Sequence, residues 1–316
     1  MSLFSVRDLH VRYGAARAVD GVTFDWRAGE VLGVVGESGS GKSTLARAML
    51  GLVPRAAGEV EVDGSPVHGR AALRSLRRRV QMVFQDPYQT LNPRMRVRTI
   101  VAEPLVVQGA PPAEHPARVD RALDDVGLPP ERFADRYPHE LSGGQRQRVA
   151  IAAALVLEPD GLICDEPVSM LDVSVQAQVL KVLMDLRASR ELALLFITHD
   201  LGLAWTLCDR ICVMYLGRIV EQGTAQQVIE TPRHPYTQAL VAAVPSPGRA
   251  AGASLLAGDV PDAAHIPPGC RLHPRCPHRF EPCDREDPPL FDAGEGEHAA
   301  ACLLLRTPSP SATARA

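Results

Sequence analysis

Three short apolar runs stand out along the chain, and each ends abruptly on polar residues. Val31-Leu32-Gly33-Val34-Val35 stops at Gly36, Leu162-Ile163-Cys164 stops at Asp165-Glu166, and Leu194-Leu195-Phe196-Ile197 stops at Thr198-His199-Asp200. Continuous apolar runs of this length predict strands buried on both faces of a parallel sheet. Elsewhere the period changes to that of a helix. Leu45, Ala46, Ala48, Met49 and Leu50 share a helical spacing that stops at Gly51, and a strongly apolar helix is predicted from Val149 to Val156. Strands interleaved with helices in this way predict an α/β fold.

No apolar run reaches the roughly 18 residues needed to span a bilayer; the longest, Val149 to Leu157, is about half of that. The opening residues lack a charged-then-apolar secretory pattern, which leads to the expectation of a cytosolic chain. Composition refines this only a little. With 316 residues, 46% hydrophobic content and a formal charge of −3, the chain has room for one large domain and a small extra one. A nucleic-acid partner is not expected, because such binders are usually basic overall.

The polar ends carry the candidate chemistry. Gly36-Glu37-Ser38-Gly39-Ser40-Gly41-Lys42-Ser43-Thr44 joins the first strand to the first helix. Strand, glycine-rich loop and helix together form the setting of a phosphate-binding loop. Backbone N–H groups turn inward on the phosphates, and the helix N-terminus adds positive potential. Lys42 is expected to reach the β- and γ-phosphates, and Ser43 to ligate Mg²⁺. Burying the Asp165-Glu166 pair costs several kcal/mol unless a cation or another partner compensates. Asp165 suits the metal, and Glu166 suits a base that polarises water, worth about 10²–10⁴ in rate. His199 would reach a γ-phosphate from the third strand end. Leu141-Ser142-Gly143-Gly144-Gln145 precedes the apolar helix and forms a second anion site at its N-terminus.

Taken together, these motifs resemble those of the ATP-binding-cassette (ABC) ATPases over roughly residues 1–230. The resemblance implies a phosphate-loop ATPase fold with an inserted α-helical subdomain and an antiparallel β subdomain. It implies Tyr13 as the aromatic on adenine, and Gln85 as the glutamine that senses Mg²⁺ beside Ser43 and Asp165. It also implies that Ser142, Gly143, Gly144 and Gln145 act in trans on the nucleotide of a second subunit, with Asp172 coupling the two sites. Met170 stands where the family usually has Ala, so packing there should differ.

Four further stretches resemble the peptide and nickel importer branch. They are Asp86 to Met95, Val168 to Leu180, Val213 to Glu221 and Arg233 to Leu240. The implied function is hydrolysis of ATP to drive peptide uptake through a permease; nickel or another small solute is the alternative, and a soluble non-transport ABC ATPase a further one. The implied partners are a second ATPase subunit, identical or related, two transmembrane permease subunits and, indirectly, an extracytoplasmic solute-binding protein. The implied location is the cytoplasmic face of the membrane.

Past Leu240 the composition shifts to proline, and Cys270, Cys276, Cys283 and Cys302 crowd the end. A segment this poor in apolar periodicity needs a staple. Four thiolates suit either zinc or an iron–sulfur cluster, and no metal at all is the remaining reading. The gaps are wider than zinc's usual tight pairs, and His265, His273 and His278 leave mixed ligation open. The segment also resembles the C-terminal extension of peptide-importer ATPases, some of which carry a [4Fe-4S] cluster. That cluster would be structural and would fix the tail for docking on the partner ATPase, leaving nucleotide binding untouched by loss of Cys276. Cys164, Cys208 and Cys212 read as core. The basic run Arg74, Arg77, Arg78 and Arg79 reads as a solvated helix face. The expected organisation is a cassette over 1–240 with its helical subdomain near 90–155, an extension over 241–306 and a disordered tail over 307–316.

Overall fold

The structure is a computed structural model that describes residues 2–244, 256 and 258–306; the expected disordered tail lies outside them. Two sheets organise the chain. Strands β1 (Ser2–Tyr13), β2 (Ala16–Arg27), β4 (Ala57–Val62) and β5 (Ser65–Pro66) form an antiparallel sheet in the order β2-β1-β4-β5. The larger sheet contains β3 (Val31–Val35), β6 (Val80–Val83), β7 (Gly161–Asp165), β8 (Ala193–Thr198), β9 (Arg210–Tyr215), β10 (Arg218–Thr224), β11 (Phe291–Asp292) and β12 (Ala299–Ala300). Its order is β11-β12-β10-β9-β3-β8-β7-β6, parallel from β9 to β6 and antiparallel beyond.

Both faces of the parallel strands are covered, as their apolar runs require. Val31, Val35, Leu194 and Phe196 point into one core, which they share with Val101, Leu105, Val149 and Ile151 of the helical insertion. Leu32, Val34, Leu195 and Ile197 point the other way, onto Leu45 and Met49 of the helix Lys42–Met49 and onto Phe4 and Trp26 of the antiparallel sheet. The strand period of two divides one apolar run between two cores. Between β6 and β7 lie helices Val97–Gln108, His115–Asp125 and Gly143–Leu155, the inserted helical layer.

The cysteine-rich segment joins the larger sheet. β12 pairs with β10 through Glu221 opposite Ala300, and β11 pairs with β12. Glu221 is fully buried and accepts from the N–H groups of Arg233 and His234, with His298 Nε2 at 2.8 Å. Leu272, Ala300 and Leu303 are buried as well, so this segment contributes some core of its own. The basic run is largely spent on internal ties. Arg77 donates to the carbonyls of Leu50 and Gly51, and Arg79 pairs with Asp63 and Asp160.

Candidate nucleotide site

Parallel register fixes the site. Val35 lies opposite Thr198, Asp165 opposite Ile197, and Val83 opposite Cys164. The loop after β3, the acids after β7, His199 after β8 and Gln85 after β6 therefore emerge at one sheet edge, the carboxyl ends where α/β sheets bind ligands. A cleft of about 700 Å³ brings together Tyr13, the loop residues Glu37 to Gly39 and Gly41 to Thr44, Gln85, Glu166 and His199.

Within the cleft the polar groups are already paired. Lys42 Nζ donates to the carbonyls of Gly36 at 2.8 Å and Glu37 at 2.9 Å, with Ser40 Oγ at 3.4 Å. Its ammonium folds back on the loop and would be released toward phosphates. Burial lowers its pKa, against the opposing charges of Glu166, Asp165 and Glu37. The Ser43 hydroxyl donates to Asp165 Oδ1 at 2.8 Å. Burial raises the Asp165 pKa, which the Ser43 hydrogen bond only partly offsets. Glu166 receives Gln85 Nε2 at 3.1 Å on one oxygen and lies 3.2 Å from His199 Nδ1 through the other. Its backbone sits at φ 46°, in the left-handed region. For a non-glycine residue that conformation costs of order 1–3 kcal/mol and clusters at functional sites.

The loop's closeness to its neighbours explains one glycine. Gly41 has φ +103°, and a Cβ there would stand 2.1 Å from the Ala18 carbonyl oxygen.

Ser142, Gly143, Gly144, Gln145 and Asp172 do not line this cleft. Ser142 caps the helix Gly143–Leu155: its hydroxyl accepts the Gln145 N–H, and the Gln145 side chain accepts the Ser142 N–H. A reciprocal cap of this kind holds the anion-binding turn in shape. Met170 is 61% exposed, so its bulk over alanine is absorbed by solvent.

The cysteine expectations need correction. Among the described residues, no group of three or more His, Cys, Asp or Glu side chains is placed to hold a metal ion. Neither the expected [4Fe-4S] cluster nor zinc therefore finds a ready site among the described residues. His265 instead faces Asp262, and the His273 ring contacts the Cys270 carbonyl. The four thiols are nevertheless unpaired neighbours: Cys270 feels the charge of Cys276, Cys283 and Cys302. Burial pushes Cys270 up to about 11 and raises Cys276 and Cys302. Three of them accept backbone N–H groups two residues ahead, from Leu272, His278 and Leu304. Such donors favour thiolate, so the donor chemistry fits a thiolate-bound group that displaces the protons. The extension also reaches the nucleotide cleft: Ala263 lines it.

Sequence reasoning missed Tyr236 and Arg275, which both bond to Glu37 from far along the chain. The one available signal was Glu37 itself, an anion in a loop built for anions.

Residues 19–169 match the family model described as ABC transporter, and residues 220–283 match that of the oligopeptide/dipeptide transporter C-terminal region. A Brucella abortus protein named for peptide import and ATP binding is 50% identical over 91% of this chain and 86% of its own length. A Brucella ovis protein named likewise is 46% identical over 95% and 97%. Among solved structures, CbiO1 of Clostridium perfringens, part of an ABC transporter complex, aligns with TM-score 0.66 and 33% identity over 73% of this chain and 91% of that one. A dimeric ATP-binding cassette with bound ADP and phosphate aligns with TM-score 0.62 and 28% identity over 70% and 98%.

Proposed function

Because this chain belongs to the ABC transporter family, we propose that its cleft binds ATP with Mg²⁺ and that Glu166, His199 and Lys42 carry the hydrolysis. The chain is an ATPase coupled to transport, and it energises a membrane permease for the uptake of peptides. The convergence of Lys42, Ser43, Asp165, Glu166, Gln85 and His199 at neighbouring strand ends carries this reading.

In this reading Tyr13, half exposed at the cleft mouth, stacks on the base. The loop from Gly36 to Thr44 wraps the phosphates with its N–H groups, and Lys42 turns from the loop carbonyls to the β- and γ-phosphates. Bound Mg²⁺ neutralises phosphate charge, with Ser43, Asp165 and Gln85 as the residues that would hold it. Glu166 accepts the proton of the attacking water, and its strained backbone and two side-chain neighbours fix the direction of its carboxylate. His199 lies beside it to meet the γ-phosphate.

The cap at Ser142 and the amides of Gly143 and Gly144, with Gln145, serve the nucleotide of a second subunit. Asp172 links the two sites. ATP then holds the pair together, and hydrolysis releases it. Two permease subunits and an extracytoplasmic solute-binding protein complete the importer, with this chain peripheral on the cytoplasmic face. The chain divides into a cassette over 1–240, its helical layer near 90–155, and an extension over 241–306. The [4Fe-4S] cluster is proposed on the resemblance of the extension alone, with Cys270, Cys276, Cys283 and Cys302 as the residues that would hold it; among the described residues they form no ready metal site. Such a cluster would cross-link the extension.

The test is co-expression with a candidate peptide permease, followed by ATP hydrolysis in the purified complex. Hydrolysis that rises on permease binding and is lost in Lys42→Ala is expected. A chain that hydrolyses ATP but never co-purifies with a permease would overturn the transport reading.

A further inference from the structure

Part of the nucleotide cleft is built by the extension. Arg275 reaches across to Glu37 of the phosphate loop, with Nη1 3.1 Å from Oε2 and Nη2 3.4 Å from Oε1. The Arg275 side chain is only 8% exposed, against 31% for Glu37. Tyr215 supports the arginine, with its hydroxyl 3.4 Å from Nη1. The Tyr215 ring packs on Tyr236 at 4.7 Å between centroids, and the Tyr236 hydroxyl accepts the Glu37 N–H at 2.8 Å. The Glu37 carbonyl meanwhile accepts from Lys42. Glu37 is thus held at its amide, its carbonyl and its carboxylate. Ala263 lines the cleft together with Tyr13 and Ala18, and its carbonyl accepts the Arg17 N–H at 3.1 Å.

A carboxylate in a triphosphate pocket needs a reason to be tolerated. Like charges a few ångströms apart repel strongly where the protein excludes water. Paired with a guanidinium in a two-point contact, the same carboxylate becomes neutral overall and geometrically fixed. We propose that Arg275 is a positioning residue of the nucleotide site, which neutralises Glu37 and fixes the phosphate loop, so that seating of the cysteine-rich extension sets the loop's affinity for ATP. This rests on the ATP-binding reading of the cleft. It makes the extension a part of the ATPase site: Arg275 directly precedes Cys276, so whatever orders the thiols also places the guanidinium.

The experiment is a titration of the full chain with ATP and with ADP, at low and at high salt. Arg275→Ala is expected to weaken ATP binding about tenfold, and ADP less, because ADP carries less negative charge. High salt narrows the gap. Arg275→Lys, which keeps the charge but not the two-point contact, restores only part of the loss. The decisive step repeats Arg275→Ala on a Glu37→Gln background, where it should cost nothing further. A general collapse of the extension would weaken binding in both backgrounds, and that result, or an Arg275→Ala chain that binds ATP as the parent does, overturns the inference. Failure of the parent chain itself to bind ATP would instead overturn the proposed function.

Discussion

The Ser43 hydroxyl donates to Asp165 Oδ1 at 2.8 Å, although the two residues lie 122 positions apart in sequence. Asp165 is the last residue of β7, Ser43 lies in the first turn of the helix that follows β3, and β8 separates those two strands in the sheet. Ser43 and Asp165 are both residues that would hold a divalent cation. The Ser43 hydrogen bond partly compensates the buried carboxylate.

That compensation is incomplete, which gives a pH prediction. Burial raises the Asp165 pKa above its ordinary 3.8. A group that holds its proton more tightly when folded makes the fold lose stability as pH rises from 3.8 through the raised value. Asp165→Asn removes this loss. The ligand-free variant should melt at a higher temperature than the parent at neutral pH and show a flatter stability profile in acid, while Mg²⁺-dependent hydrolysis disappears. A lower melting temperature at neutral pH would show that the carboxylate is not under strain.

Glu166 should separate binding from chemistry. Glu166→Gln keeps the shape and the contact to Gln85 but cannot accept a proton. Hydrolysis should fall by about 10²–10⁴, with ATP affinity retained. ATP should then lock chains into long-lived pairs, measurable by light scattering. Loss of ATP binding in this variant would mean that the residue shapes the pocket instead.

Gly144 tests the signature turn. A Cβ there would sit 2.2 Å from Val175 Cγ1. Gly144→Ala should destabilise the chain by about 1–3 kcal/mol through overpacking. Adding Val175→Ala makes room for the methyl group and should recover stability in a urea titration. If the double variant stays as unstable as the single one, the close approach to Val175 is not the cause.

Much of this arrangement was legible in the sequence because it is local. An apolar run ending in polar residues identified β3, β7 and β8, and the glycine-rich loop lies between adjacent elements. Ser142 and Gln145 form a cap across three residues, so their pairing could be read directly. What escaped depends on sheet order, which no periodicity encodes. Tyr236 and Arg275 meet Glu37 only because the segments that carry them, between β10 and β11, fold back onto the loop. Glu221 and His298, both buried and paired, are what seat that fold-back. The cysteines illustrate the same limit: spacing places four thiols in one segment, but whether they face one another depends on loops.

Those thiols yield the last prediction. Burial raises Cys270, Cys276 and Cys302, so in the metal-free chain they hold their protons. Ligation must displace those protons, and the N–H donors from Leu272, His278 and Leu304 favour the thiolates once formed. The proposed cluster, if the extension binds it, makes anaerobically purified protein brown, with about four irons per chain. Cys276→Ser should lose iron and colour. Cys164→Ser, at a buried thiol in the core of the sheet, should keep both. The Cys276→Ser chain should also bind ATP more weakly, because Arg275 beside it loses its anchor. Iron retained in Cys276→Ser, or a colourless parent chain after anaerobic purification, would remove the cluster and leave the thiols as packing for the extension.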